Sequence, residues 1–300
     1  MKERIKVACV QAEPAILDLE ATLEKVAVLS AEVAGADAAL VVFPEAFVPA
    51  YPSNRWVRFL AGGGDVRARA AFARLARESV EVPGPASDRL GEIARETGLW
   101  LALGANERDR GTLYNALLVY APSGELALHR RKLVPTNHER LVWGQGSGDG
   151  LTAIPTEAGR LGGLICWENL MPLARFALYE SGVEVYLAPT ADDSEDWHDS
   201  LRHIAREARA FVVSPCVFQR ASSYPDDVPI AKGPELLGRG GSAILAPDGS
   251  YLAGPLWDEE GILYAELDPA RLYEERQRFD AAGHYHRPDV FQLRVQGRSE

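Results

Sequence analysis

Nothing in these 300 residues supplies a disulfide framework, a membrane anchor or a basic face. Cysteine occurs three times, too few and odd in number for a cross-linked secreted fold. A reducing compartment is the simpler expectation, so the chain is expected in the cytoplasm. No apolar run approaches the roughly 20 residues that cross a bilayer. Met1-Lys2-Glu3-Arg4-Ile5 passes from charges straight into an alternating pattern, with no signal-peptide core. Positive charge is also short: 32 Lys and Arg stand against 43 Asp and Glu, a formal net charge of -11. A nucleic-acid partner would want the opposite balance, to replace phosphate counterions. Acidity of this kind mainly keeps a protein dispersed and says little about a neutral small-molecule substrate.

Histidine is sparse as well, with six copies. His198 and His203 are five apart, which puts them on different sides of a helix and weakens a metal reading. His284 and His286 have the spacing to share a strand face. The acidic run Asp192-Asp193-Ser194-Glu195-Asp196 has the composition to hold a cation, but it reads more simply as favouring the start of the helix that follows. No metal is expected.

What is present is an ordinary globular composition, 47% hydrophobic and 25% charged. Ile5, Val7 and Cys9 alternate with the period of a strand that buries one face. Leu19, Leu23, Val26, Ser30 and Val33 recur at helical spacing, and Gly35 offers a left-handed stop. The run 38–43 reads as a buried strand closed by Pro44. Helices are expected over 67–80, with an arginine-rich solvated face, and over 87–97, ending at Gly98. Strands follow at 99–103 and 116–120, then a turn at Pro122-Ser123-Gly124 and a returning strand toward Lys132. The second half repeats the order: strand 161–166, helix 172–181 stopped by Gly182, strand 183–188 closed by Pro189. A helix through Leu201, Ile204, Ala205 and Ala208 comes next, then strands 211–218 and 242–245 and the turn Pro247-Asp248-Gly249. Both halves contain an apolar strand ending in proline plus a polar residue, and a hairpin with Ala-Pro-x-Gly. That pattern predicts one domain over 1–300, a diverged duplication in which two sheets stack and helices cover the outer faces.

Three positions stand out chemically. Cys166 falls where a strand meets an expected helix, a place where amide N–H groups and the helix dipole favour a thiolate. The competing reading is a core thiol, the usual fate of cysteine and the better account of Cys9 and Cys216. A free thiol has a pKa of about 8.5, so a nucleophilic Cys166 needs a base. Glu45 follows a buried strand directly after Pro44, so its carboxylate emerges at a strand end. Lys132 ends the returning strand, although His129-Arg130-Arg131-Lys132 would equally suit a solvated basic edge, and Glu139 would suit an exposed loop.

These segments together resemble a known family. Phe43-Pro44-Glu45, Arg131-Lys132-Leu133-Val134-Pro135-Thr136, Glu139 to Gly146 and Cys166-Trp167-Glu168-Asn169 are similar to the signature segments of nitrilases, within the carbon–nitrogen hydrolase superfamily. So are Ala188-Pro189-Thr190-Ala191 and Gly283 to Asp289, which spreads the resemblance over nearly the whole chain. It implies an α/β fold, a four-layer α-β-β-α sandwich, and a Glu–Lys–Cys triad at Glu45, Lys132 and Cys166, with Glu139 as a second glutamate. Tyr51, Trp143 and Trp167 are the candidate pocket walls. The implied activity is hydrolysis of a nitrile to the acid and ammonia through a covalent cysteine intermediate, with no cofactor, in a homo-oligomer. An amidase or N-carbamoyl hydrolase, or a catalytically idle scaffold, is the alternative. Two features depart from the family: Ser147-Gly148 precede Asp149-Gly150, and the chain stops soon after Asp289, short of the tail that many members use in helical assembly.

Overall fold

The computed structural model describes residues 1, 3–228, 233 and 235–297. Strand β1 (Ile5–Gln11) forms where the alternation begins, but it is buried on both faces. Ala8 and Val10 enter one core, Val7 and Cys9 another. A strand reads this way when its sheet lies between two other layers.

The first half continues with α1 (Leu19–Gly35), β2 (Leu40–Val42), α2 (Asn54–Leu60), α3 (Val66–Arg77) and α4 (Pro85–Thr97). Strands β3 (Trp100–Asp109), β4 (Thr112–Tyr120) and β5 (Leu126–Arg131) follow. The second half holds β6 (Ile154–Thr156), β7 (Gly159–Gly163), α5 (Pro172–Glu180), β8 (Val185–Leu187) and α6 (Glu195–Ala208). It ends with β9 (Phe211–Ser214), β10 (Phe218–Arg220), β11 (Leu236–Leu245), β12 (Tyr251–Trp257), β13 (Gly261–Leu267) and α7 (Pro269–Arg278).

One sheet runs β13-β1-β2-β3-β4-β5, the other β10-β11-β9-β8-β7-β6, with β12 also paired to β11. Each half supplies a parallel trio, β1-β2-β3 and β7-β8-β9, so the echo seen in the sequence is an echo in topology. β13 returns from late in the chain to pair antiparallel with β1, setting Leu267 opposite Ile5. Helices α1 and α4 cover the first sheet through Leu23, Val26, Leu90 and Ile93. Helices α5 and α6 cover the second through Leu178, Leu201 and Ile204. Between the sheets, Val7, Cys9, Leu40 and Val42 share a core with Leu161, Val185, Phe211 and Ile244. The architecture is the α-β-β-α sandwich.

Local expectations shift in instructive ways. Gly35 is the last helical residue of α1, and Asp37, at φ 57°, takes the left-handed turn instead. Asp tolerates that region better than most residues. Helix α3 stops at Arg77, and Val80 bridges to Glu107. The expected strand 211–218 divides into β9 and β10 around Pro215-Cys216, and the strand expected to reach Cys166 ends at Gly163. Helix α2, capped by the Ser53 side chain, has too few turns to show a period in sequence. His284 lies in a turn and His286 just beyond it, neither on a strand. Among the described residues, no helix is long and apolar enough to cross a membrane.

Candidate active site

The site grows from the ends of strands in both sheets. Past β2, the Phe43 N–H donates to Ala102 O and the Gly104 N–H to Pro44 O, so the chain stays registered on β3 while Glu45 projects inward. Ala46, at φ 47°, completes this turn in a region few residues with a side chain adopt. Gly104 makes the close approach possible, since a Cβ there would clash with the backbone of Pro44 and Ala46.

Strand β5 alternates. Leu128 faces the inter-sheet core, Arg130 is buried against Glu168, and Lys132 follows them inward. His129 and Arg131 pair with Glu107 on the other side. The stretch that read equally as a solvated edge therefore buries every second cation. Main-chain bonds fix Lys132 on both sides: its N–H donates to Asn115 O at 2.7 Å, and its carbonyl accepts from the Gly146 N–H at 2.8 Å.

Lys132 joins the two glutamates. Its Nζ lies 2.7 Å from Glu45 Oε1 and 3.0 Å from Glu139 Oε2, and all three side chains are buried. Glu45 Oε1 also accepts from Asn115 Nδ2 at 2.7 Å, while its Oε2 has no partner among the described residues. Glu139 accepts from the Tyr51 hydroxyl at 2.6 Å and from the Thr136 N–H at 2.7 Å. Burial lifts the Glu45 carboxyl above its ordinary range; the Lys132 charge pulls it back, Glu139 repels, and burial prevails. Burial works against the Lys132 ammonium, yet Glu45 and Glu139 hold its pKa well above the usual value.

Cys166 sits at φ 52°, three residues beyond β7, and opens a five-residue 3-10 turn rather than an α-helix. This corrects the expectation of a dipole-stabilised thiolate. Helix α5 begins only at Pro172, and burial together with Glu45 raises the thiol well above its ordinary pKa against the pull of Lys132. The Cys166 backbone N–H donates to Pro189 O at 2.9 Å, and its sulfur lies 3.2 Å from the Thr190 hydroxyl.

A cleft of about 250 Å³ is lined by Cys166, Glu139, Tyr51 and Trp167, with Arg58, His138 and Asp192 among its other walls. Trp167 is 48% exposed, and its indole N–H donates to Asp192 Oδ2. Trp143 is not part of that lining. It stands behind Tyr51, with ring centroids 5.9 Å apart, and donates to Asn106 Oδ1. Among the described residues, no group of three His, Cys, Asp or Glu is placed to hold a metal ion.

The carbon-nitrogen hydrolase profile matches residues 6–277. An aliphatic nitrilase of Sinorhizobium fredii is 43% identical over 97% of this chain and 96% of its own length. Nitrilase 2 of Arabidopsis thaliana is 42% identical over 97% of this chain and 88% of its own. The chain belongs to the carbon-nitrogen hydrolase family. A carbon-nitrogen hydrolase from Helicobacter pylori shares the fold, with a TM-score of 0.75 at 22% identity over 95% of this chain and 96% of that one.

Within this carbon-nitrogen hydrolase, several residues that hold the site were given no role in the reading of the sequence. Glu168 is the main one. Its Oε1 accepts from Arg130 Nη2 and the Leu133 N–H, its Oε2 from Arg130 Nη1 and the Ile165 N–H. One buried carboxylate thus braces the residue after Lys132 and the residue before Cys166. Burial alone would raise it, but Arg130 and the backbone donors keep it below the usual carboxylate range. Asn115 carried a usable signal, a lone amide inside the apolar run 113–120. Thr190 was marked as the polar residue after Pro189 in a segment that resembles the family, but it was given no role.

Proposed function

We propose that this chain is a nitrilase, in which Cys166, Glu45, Lys132 and Glu139 convert a nitrile and two waters to a carboxylic acid and ammonia. The observation that carries the proposal is near-full-length identity with proteins named nitrilases. The buried cation between two glutamates, beside a cleft lined by a thiol, supports the residue roles.

The thiol attacks the nitrile carbon as Glu45 takes its proton. The S–C bond forms, one C–N π bond breaks, and the proton passes to nitrogen, leaving a thioimidate. Water adds to the C=N bond, ammonia departs, and a thioester remains. A second water releases the acid and returns the proton to sulfur. The raised proton affinity of Glu45 suits a base that must work near neutral pH. Its Oε2, without a partner among the described residues, is an acceptor for the incoming proton. Lys132 stabilises negative charge as it develops on the substrate. Glu139 keeps Lys132 charged and orients water, while Tyr51 and Trp167 bound the substrate and Trp143 supports Tyr51 from behind.

We further infer a single catalytic domain over 1–300, a cytoplasmic location in keeping with three free cysteines, and self-association through exposed apolar side chains such as Leu170 and Leu173. No cofactor enters the scheme. The test is kcat/KM for nitrile and amide pairs sharing one side chain, read by ammonia release. A nitrile preference is expected. A consistent preference for amides or carbamoyl compounds would move the protein to the amidase branch.

A further inference from the structure

Cys166 is held against the segment Pro189–Ala191 by more than its backbone. The Thr190 side chain is fully buried, with Oγ1 3.2 Å from the Cys166 sulfur. The same oxygen accepts the Asp192 N–H at 2.9 Å. A hydroxyl has one proton and two lone pairs; here one lone pair takes the Asp192 N–H, and the sulfur lies within reach of the proton. The Thr190 hydroxyl donates to the sulfur, and with its proton aimed there the thiol proton points away from Thr190. The arrangement is rigid. The Thr190 N–H donates to Pro215 O at 3.0 Å, its carbonyl accepts from the Val217 N–H at 2.9 Å, and the Cys166 N–H is tied to Pro189 O.

We propose that Thr190 is a further catalytic residue, whose hydroxyl donates to the Cys166 sulfur throughout the reaction, leaving the thiol proton free for Glu45 and stabilising the thiolate as it forms and departs. This rests on the reading of Cys166 as nucleophile. Thiol sulfur is a weak acceptor and thiolate a strong one, so the bond strengthens as attack begins and again as the thioester C–S bond breaks. An interaction that grows toward the transition state accelerates chemistry rather than only tightening binding. Thr190 keeps its own O–H bond. The proton that moves is the thiol's, first to Glu45 and then to the nitrile nitrogen. Because the donor is fixed before substrate arrives, little reorganisation is needed when charge appears.

The rival account gives the hydroxyl only its turn-forming bond to the Asp192 N–H. Thr190→Ser keeps the hydroxyl and Thr190→Ala removes it; loss of the turn bond alone would show in KM, through the cleft wall at Asp192, whereas loss of a donor to sulfur shows in the reactivity of Cys166 itself. Two quantities are measured in the full-length protein: alkylation of Cys166 by iodoacetamide, followed on the Cys166 peptide by mass, and single-turnover acyl-enzyme formation from a nitrile. A hydrogen bond to a charged group corresponds to about 10- to 100-fold in rate, so T190A is expected to lose that much in both, with T190S within about threefold of wild type. KM should change little. Equal alkylation rates in T190S and T190A, or a loss confined to KM, would overturn the role of Thr190. Failure of the underlying reading looks different: wild-type enzyme alkylated on Cys166 would keep its turnover.

Discussion

Glu168→Gln isolates the brace between the two halves of the site. The carboxylate accepts four hydrogen bonds, two from Arg130 and one each from the Leu133 and Ile165 N–H groups. A glutamine presents one acceptor oxygen and one NH₂ group. Either orientation sets that NH₂ against an Arg130 N–H and a backbone N–H, so both donors lose their acceptor. Arg130 is also left fully buried with no counter-charge. Removing one member of a buried ion pair costs about 3–5 kcal/mol, a large share of the roughly 5–15 kcal/mol that holds a folded protein. Equilibrium urea unfolding at neutral pH, followed by tryptophan fluorescence, should show a loss in that range. Glu168 has a folded pKa below its unfolded value, so its contribution is complete above the unfolded pKa and disappears as pH falls through the folded one. The gap between wild type and E168Q should therefore be flat from neutral pH down to the ordinary carboxylate range and close only in stronger acid. Replacing both partners, Glu168→Gln with Arg130→Met, should recover part of the loss. A loss under about 1 kcal/mol for the single variant, or a gap that widens in acid, would refute this account of the pair.

Three other outcomes follow from the geometry. Cys166→Ala should abolish turnover and the covalent adduct seen by intact mass, while Cys9→Ala, in the inter-sheet core, should retain activity; turnover without Cys166 would end the mechanism. Glu45→Gln and Lys132→Ala should each lower kcat by about 10²–10⁴, and the double variant should be little worse, because the groups act as a unit. Full additivity of those two losses would show separate roles. Gly104→Ala should lower both kcat and stability, by about 1–3 kcal/mol, because the new Cβ displaces the turn that carries Glu45; an unchanged Tm would contradict the close approach.

The parts legible in the sequence were those whose signal is local. Periodicity marked α1, α4, α5 and most strands, and Pro44 and Gly98 marked their ends correctly. Cys166, Glu45, Lys132 and Glu139 were named through family resemblance, and the fold gathers the last three through direct hydrogen bonds. What escaped depends on partners far apart in the chain. Asn115 meets Glu45 across 70 residues, and Arg130 meets Glu168 across 38. Periodicity cannot encode either meeting. The local setting of Cys166 was misread for a related reason, although its need for a base was not. A strand-to-helix junction suggested a dipole, whereas the chain makes a 3-10 turn there and the depth of burial, set by both sheets, raises the thiol above its ordinary pKa.

A thiol with a raised pKa would be a poor nucleophile if a new charge had to be created in the site. The composition of the cluster avoids that. Glu45 and Glu139 surround one ammonium, and moving a proton from Cys166 to Glu45 only shifts an existing negative charge from oxygen to sulfur. The number of charged groups in the buried cluster is unchanged, so the several kcal/mol that a fresh buried ion would cost does not arise. A neutral imidazole in place of Glu45 would behave differently. Proton transfer would then generate an imidazolium beside the Lys132 ammonium, two like charges in a buried space. With Lys132 already present as the cation, an anionic base is the choice that keeps the charges balanced through the attack. That gives a physical reason for glutamate, rather than histidine, at the end of β2.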